Sequence, residues 1–297
     1  MKISKIDMLK SAAKIASKSK LLKRIGTKLA VHLLPEEVET RIGNSRFVFR
    51  PKIDGLWYLN YSDAEPGVDR VLRENLREGD TFIDIGAYIG YYSILARNIV
   101  GSSGKVIAFE PNPESYKILK KNFEINRYTN CIAENLALSD EDGITRLFIG
   151  KTTNDSSSMF LAEEVNDKKY VEVQTITLDR YCEINGIAPE FIKIDAEGAE
   201  YKILKGMLRV IDSYHPKLLI EVHPRHLKAQ GVSIQSFFDF LKSCGYEVQL
   251  VGKEGSERYP VEKLIELCEM GRKNCYGTKI NQVVVKLSEE RVKRRLI

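Results

Sequence analysis

A chain of 297 residues is long enough for one large domain with an ordinary core plus an appendage. It has no apolar run of about 18 residues that would span a bilayer, and its net charge of +5 says little about partners. Five cysteines (Cys131, Cys182, Cys244, Cys268 and Cys275), an odd number with no C-x-x-C pair, argue against a zinc site and a secreted disulfide framework; they fit reduced, mostly buried thiols in a cytoplasmic protein.

Residues 1–30 carry nine Lys/Arg and one acid, Asp7, a net of +8 that leaves −3 for the rest of the chain. This start lacks the continuous apolar stretch of a signal peptide. Ile6, Leu9, Ala13 and Ala16, then Leu22, Ile25, Leu29 and Leu33, recur at helical spacing. The spacing predicts two short amphipathic helices, interrupted near Gly26 and ended by Leu34-Pro35. Basic amphipathic helices read as peripheral contacts to an anionic membrane surface. The alternative is a helical hairpin packed on the domain that follows. Residues 1–30 contain no aromatics, which speaks against nucleic acid as a partner.

Residues 45–62 predict short extended segments around Phe47, Trp57, Tyr58 and Tyr61, and residues 67–77 a helix. Strands and helices then alternate: strand TFIDI, helix 90–99, strand KVIAFE, helix 113–126 and strand CIAENLAL. The extended runs TRLFIG and KYVEVQTITL follow, on either side of a polar loop. Strand FIKIDA, helix 199–206, strand KLLIEV, helix 233–243 and strand YEVQLV come next, and NQVVVKL closes the series. Such alternation predicts a parallel sheet wrapped by helices, with ligands bound outside the carboxyl ends of the strands.

The first strand of the series runs into the turn Asp84-Ile85-Gly86-Ala87-Tyr88-Ile89-Gly90. A P-loop would need Lys-Ser or Lys-Thr after its last glycine, and neither is present. A dinucleotide turn needs G-x-G-x-x-G; counted from Gly86, Tyr88 and Tyr91 stand where the second and third glycines belong, and a side chain of that size blocks a diphosphate. S-adenosylmethionine has no phosphate. It asks for a glycine turn beside its amino-acid part and a carboxylate for its ammonium group, which Gly86, Gly90 and Asp84 offer. A turn without a ligand would leave Asp84 purposeless at a strand end. The next strand ends on Glu110, placed to accept both ribose hydroxyls. NAD enzymes use the same device, so Glu110 favours the adenosyl sulfonium only in combination with Tyr88.

The second concentration of charge is FIKIDAEGAEYKILKG. Lys193 and Asp195 alternate on one face of a strand, and Glu197 and Glu200 follow around Gly198. Glu221 and His223 share one face at the end of the next strand, so both strand ends should open on the ligand crevice. The plain alternative is a solvated loop with helix-capping acids.

FIDIGAYIGYYSILAR, VIAFEPNPESYKILKKNFEIN, LALSDEDG, ITLDRYCE and FIKIDAEGAEYKILKG, in that order, resemble the FkbM family of S-adenosylmethionine-dependent methyltransferases. The resemblance covers roughly residues 68–250. It implies the α/β fold of class I methyltransferases: a Rossmann-like, doubly wound sheet of seven strands with the last antiparallel. The expected organisation is a basic helical extension over residues 1–45, read from its charge and spacing, and a methyltransferase domain over 46–297. It also implies O-methylation, with sugars of glycans and natural products as the commonest acceptors. Carried over by motif, Asp84, Gly86, Gly90 and Glu110 would hold the cofactor, with Asn135 and Ala137 near its adenine. Asp195, Glu197 and Glu200 would line the acceptor side. The family commonly has Asn where this chain has Tyr88, so the amino-acid end of the cofactor is expected to be contacted differently.

A sugar hydroxyl is a poor nucleophile and needs a general base, or a metal that lowers its pKa. Asp195 and His223 are the candidate bases, and His223 also reads as a structural histidine before Pro224. No metal is assigned, because no second acidic cluster follows at the next strand end. The alternative is a hard-cation site of Asp195, Glu197, Glu200 and His223, resembling that of metal-dependent catechol-type enzymes. A base-amino methyltransferase would carry [DN]-P-P-[YF] after the fourth strand, and a 5-methylcytosine enzyme a Pro-Cys nucleophile; the chain has neither. A non-catalytic adenosyl-binding module would have no reason to cluster acids at 195–200.

Overall fold

In the computed structural model the apolar runs read as core strands lie side by side in one sheet. The structure describes residues 34–59, 65–149, 169–252, 255–258, 262–263, 265–266 and 282–287. The basic segment 1–30 with its predicted helices, and Cys268 and Cys275, lie outside them.

Val38–Ile42 (β1) and Ser45–Phe49 (β2) form an antiparallel hairpin. A short helix, Pro51–Asp54 (α1), a 3-10 turn, Leu56–Leu59, and helix Pro66–Asn75 (α2) follow. The alternating series comprises Thr81–Ile85 (β3), Tyr91–Val100 (α3), Lys105–Phe109 (β4), Pro113–Glu124 (α4) and Cys131–Glu134 (β5). Ala137–Leu138 (β6), Gly143–Phe148 (β7) and Tyr170–Ile176 (β8) build a separate three-stranded sheet. Then come Leu178–Asn185 (α5), Phe191–Ile194 (β9), Glu200–Lys205 (α6) and Leu208–Tyr214 (α7). Lys217–Glu221 (β10), Pro224–Ala229 (α8), Ile234–Ser243 (α9), Tyr246–Gly252 (β11), Gly255–Arg258 (β12) and Gln282–Leu287 (β13) complete the chain.

The main sheet has the order β12-β11-β13-β10-β9-β3-β4-β5. Strands β5, β4, β3, β9 and β10 are parallel, and β13 inserts antiparallel between β10 and β11. This is the expected Rossmann-like arrangement with an antiparallel last strand. It has eight strands rather than seven because β12 pairs with the outer edge of β11.

The period of two decides which residues build each layer. Ile83 and Ile85 of β3, Ile107 and Phe109 of β4, and Ile192 and Ile194 of β9 face one core, with Ile203 and Leu204 of α6 and Phe237 and Leu241 of α9. Phe82, Val106 and Ala108 face the other, with Val71 and Leu72 of α2, Ile94 and Leu95 of α3 and Leu119 of α4. A central strand covered on both faces must be apolar throughout. Asp84 and Lys193, paired across β3 and β9, break that rule, and they mark the site.

Three local expectations differ from the structure. Residues 131–138 do not form one strand: Asn135 Nδ2 donates to the carbonyls of Glu110 and Pro111 at 2.8 and 3.0 Å, and the chain leaves the main sheet there for β6. Residues 51–59 are helical turns rather than extended, because Pro51 starts α1 and the Arg50 N–H folds back onto Asp54 Oδ2 at 2.5 Å. The division expected between residues 45 and 46 falls inside the β1–β2 hairpin. That hairpin is core: Phe47 and Phe49 are buried, and the buried Asn122 of α4 binds Val48 N–H and carbonyl at 2.7 and 2.9 Å.

Candidate active site

The turn after β3 is shaped by close approaches. Gly86 (φ +76°) lies so near β9 that an added Cβ would sit 1.9 Å from the Asp195 carbonyl oxygen, and a Cβ on Gly90 (φ +86°) would sit 2.5 Å from Leu119 Cδ1. The backbone N–H groups of Gly86 and Ala87 both donate to the Phe109 carbonyl at 3.0 Å, which ties the turn to β4. Tyr88 takes a left-handed conformation at φ 52°. Its N–H donates to Glu110 Oε2 at 2.7 Å, and its hydroxyl donates to Asp54 Oδ1 at 2.6 Å. The residue that departs from the family pattern is therefore turned toward α1.

Asp84 is buried at the floor of the turn. Its Oδ2 accepts from Ser93 Oγ at 2.6 Å, while Oδ1 has Lys193 Nζ at 3.8 Å and no hydrogen-bond partner. Burial raises its pKa, against the pull of Lys193 and Ser93. Glu110 stands one residue beyond β4. Its oxygens accept from Tyr88 N–H and, at 2.8 Å, from Asn112 N–H, which leaves acceptor capacity on both. Burial pushes its carboxyl up to about 8 in spite of the two N–H donors. Asn135 is held on the strand-end carbonyls of this neighbourhood, whereas the Ala137 side chain is buried in the small cluster of the second sheet with Leu147 and Val173.

The β9 and β10 ends form the other half. Lys193 Nζ lies 3.3 Å from Asp195 Oδ2 and 5.0 Å from the Tyr92 ring centroid, next to Asp84. Burial alone would lower its pKa; Asp195, Asp84, Glu221 and Glu65 outweigh burial and hold the ammonium above its ordinary value. His223 Nδ1 meets Glu200 Oε1 at 2.7 Å, and Nε2 lies 3.2 Å from Glu197 Oε2 and 3.8 Å from Glu221 Oε1. Burial is opposed by these three acids, which push the imidazole up to about 10. Glu197 (φ 46°) and Gly198 (φ 107°) make the sharp bend into α6, and a Cβ on Gly198 would sit 2.5 Å from His226 Cβ. Asp195, Glu197, Glu200 and His223 are thus brought together, beside the turn after β3.

Sequence reasoning missed Ser93, Arg50, Asp54 and Glu65. Ser93 carried a signal, a polar residue amid the apolar YYSILA of α3, and its partner Asp84 lies just across the turn. Asp54 carried none, because its partner Tyr88 is far along the chain; it is buried in a two-bond pair with Arg50, Nη2–Oδ1 2.8 Å and Nε–Oδ2 3.2 Å. Glu65 accepts from the Tyr92 hydroxyl.

The family model for the methyltransferase FkbM domain matches residues 84–248, more than half of the chain. The hexuronic acid methyltransferase AglP of Haloferax volcanii is 26% identical over 172 residues, 58% of this chain and 67% of that protein. The 31-O-demethyl-FK506 methyltransferase FkbM of Streptomyces tacrolimicus is 26% identical over 212 residues, 61% of this chain and 75% of that protein. The crystal structure of methyltransferase FkbM from Methylobacillus flagellatus matches at a TM-score of 0.44 and 16% identity, over 71% of this chain; the chain spans less than half, 44%, of that solved protein. The described cysteines, Cys131, Cys182 and Cys244, are not disulfide-bonded, and among the described residues no helix is long and apolar enough to cross a membrane. With its sheet order, its Asp84–Gly86–Gly90 turn, its Glu110 strand end and the family-model match over residues 84–248, the chain belongs to the FkbM family of methyltransferases, whose methyl donor is S-adenosylmethionine.

Proposed function

We propose that the chain methylates a hydroxyl group of a sugar-containing or natural-product acceptor, with Asp195 taking the hydroxyl proton. The observation that carries this reading is the packing of Asp195 on Gly86. The acid's carbonyl presses on the glycine of the cofactor turn, so the partly exposed carboxylate stands beside the place where the donor's reactive end would lie. The residues fit the donor. Asp84 Oδ1 is a buried acceptor without a hydrogen bond, suited to an ammonium group directly or through water, and Glu110 has lone pairs left for two ribose hydroxyls. Asn135 stands by Glu110, where adenine would be enclosed.

The cofactor, when bound, supplies an activated methyl group on a sulfonium. The protein's own tasks are alignment, exclusion of water and removal of one proton. Lys193 fixes the Asp195 carboxylate from the buried side. The His223–Glu200 pair steadies the bend that carries Glu197. The names of the two curated relatives, one for a hexuronic acid and one for an FK506 hydroxyl, support an oxygen acceptor on a sugar or natural product. Peripheral contact of residues 1–30 with an anionic surface belongs to the same reading, since it suits a lipid-linked glycan.

The test is Asp195→Asn, assayed by S-adenosylhomocysteine release from glycan or lipid extracts. The amide cannot take the proton, so turnover should fall about 10²–10⁴-fold while donor binding persists. Wild-type turnover in that variant would contradict the assignment.

A further inference from the structure

We infer that Asp195, Glu197 and His223 form a site for one divalent cation of the Mn²⁺ or Mg²⁺ class, which binds an acceptor presenting two adjacent oxygens. The inference rests on the methyl-transfer reading of this site and names how the acceptor is held. One ligand atom from each of the three residues lies within 4.8 Å of the other two. Three ligands at about 2.1 Å from one ion form a triangle with sides of about 3.6 Å at most when they are equally spaced, so side-chain shifts of about 1 Å or slightly more close it. Two carboxylates and one imidazole suit a hard to borderline ion rather than a thiolate-seeking one.

A second observation points the same way. Glu200 is fully buried, and its Oε1 holds His223 Nδ1 at 2.7 Å, while its Oε2 has no hydrogen-bond partner. That contact leaves His223 Nε2 toward Glu197 Oε2 at 3.2 Å and Glu221 Oε1 at 3.8 Å. A metal-binding histidine commonly has its far nitrogen oriented by a carboxylate in this way. Asp195, Glu197, Glu200 and Glu221 surround one imidazole and one ammonium, Lys193, so negative charge is in surplus where the ion would sit. An ion there leaves coordination positions for a vicinal diol or a hydroxyl next to a carboxylate. It would make the bound hydroxyl more acidic and so ease transfer of its proton to the Asp195 carboxylate.

The experiment is a titration of the chelator-treated full-length protein with Mn²⁺, followed by loss of the free-ion electron paramagnetic resonance signal. S-adenosylmethionine binding to each sample is measured by calorimetry. We expect about one Mn²⁺ per chain, competed by Mg²⁺. Affinity should fall at least tenfold in Glu197→Gln and in His223→Gln, and about tenfold in Glu200→Gln, which keeps all three ligands. Donor affinity should change less than about threefold in all three variants, which also shows that they fold. Absence of Mn²⁺ binding by wild-type protein, or equal binding by Glu197→Gln, overturns the inference even where the donor binds. Failure of the donor to bind wild-type protein would instead overturn the methyl-transfer reading.

Discussion

Tyr88 donates its hydroxyl hydrogen to Asp54 Oδ1 across 2.6 Å, and so joins the cofactor turn to the short helix α1 that precedes the sheet. Asp54 is buried and is also held by the Arg50 guanidinium. Removing one partner of a buried pair leaves an uncompensated charge. Asp54→Ala should therefore cost about 3 kcal/mol of stability, and Tyr88→Phe about 1 kcal/mol, both read from urea unfolding. Because Tyr88 N–H also binds Glu110, Asp54→Ala should weaken donor binding as well. An unchanged midpoint in Asp54→Ala would show that α1 does not brace the turn.

Gly86 and Gly231 separate two reasons for glycine. Both have positive φ, but a Cβ at Gly86 meets the Asp195 carbonyl at 1.9 Å, whereas nothing lies within 4 Å at Gly231. Gly231→Ala should cost only the left-handed strain, about 1 kcal/mol. Gly86→Ala adds a backbone collision and should cost about 3 kcal/mol or more. It should also displace Asp195 and lower turnover in whatever fraction folds. Equal melting shifts for the two variants would refute the contact.

Glu110 makes the stability of the cofactor-free protein depend on pH. Its folded pKa is raised to about 8 from a reference of 4.5. Between those values the folded protein holds a proton that the unfolded chain has lost. Stability from this group is fully present below the reference value and is lost as pH rises through about 8. The slope is at most about 1.4 kcal/mol per pH unit. Glu110→Gln should flatten that part of the stability curve. Ribose hydroxyls favour the ionised carboxylate, so donor binding at neutral pH should release protons. Calorimetry in two buffers of different ionisation enthalpy measures this.

The sheet was legible because its strands are continuous apolar runs, and the exceptions, Asp84 and Lys193, stand at the site itself. Glu110, Asp195 and His223 could be placed because strand order alone carries their ends to one edge. Contacts made across long stretches of chain were not legible. Nothing near Asn122 announces that its amide binds Val48 and Ile89, and nothing near Asp54 announces Tyr88. The break after β5 was missed because LAL is as apolar as a strand; what turns it is Asn135, gripping carbonyls of a neighbouring segment.

Residues 1–30 invite a separate test, since their charge is +8. A variant lacking them should bind the donor as the full chain does, yet pellet less with anionic vesicles at low salt. Equal pelleting would contradict a membrane-surface role.

The most direct measurement is calorimetric titration of the full-length protein with S-adenosylmethionine and, separately, with NADH, in wild type and in Glu110→Ala. Binding of S-adenosylmethionine alone is expected. Its affinity should fall by about 1–3 kcal/mol in the variant, as charge-assisted bonds to the ribose are lost. Binding of NADH in its place, or an affinity for S-adenosylmethionine that Glu110→Ala leaves unchanged, would contradict the account of the site.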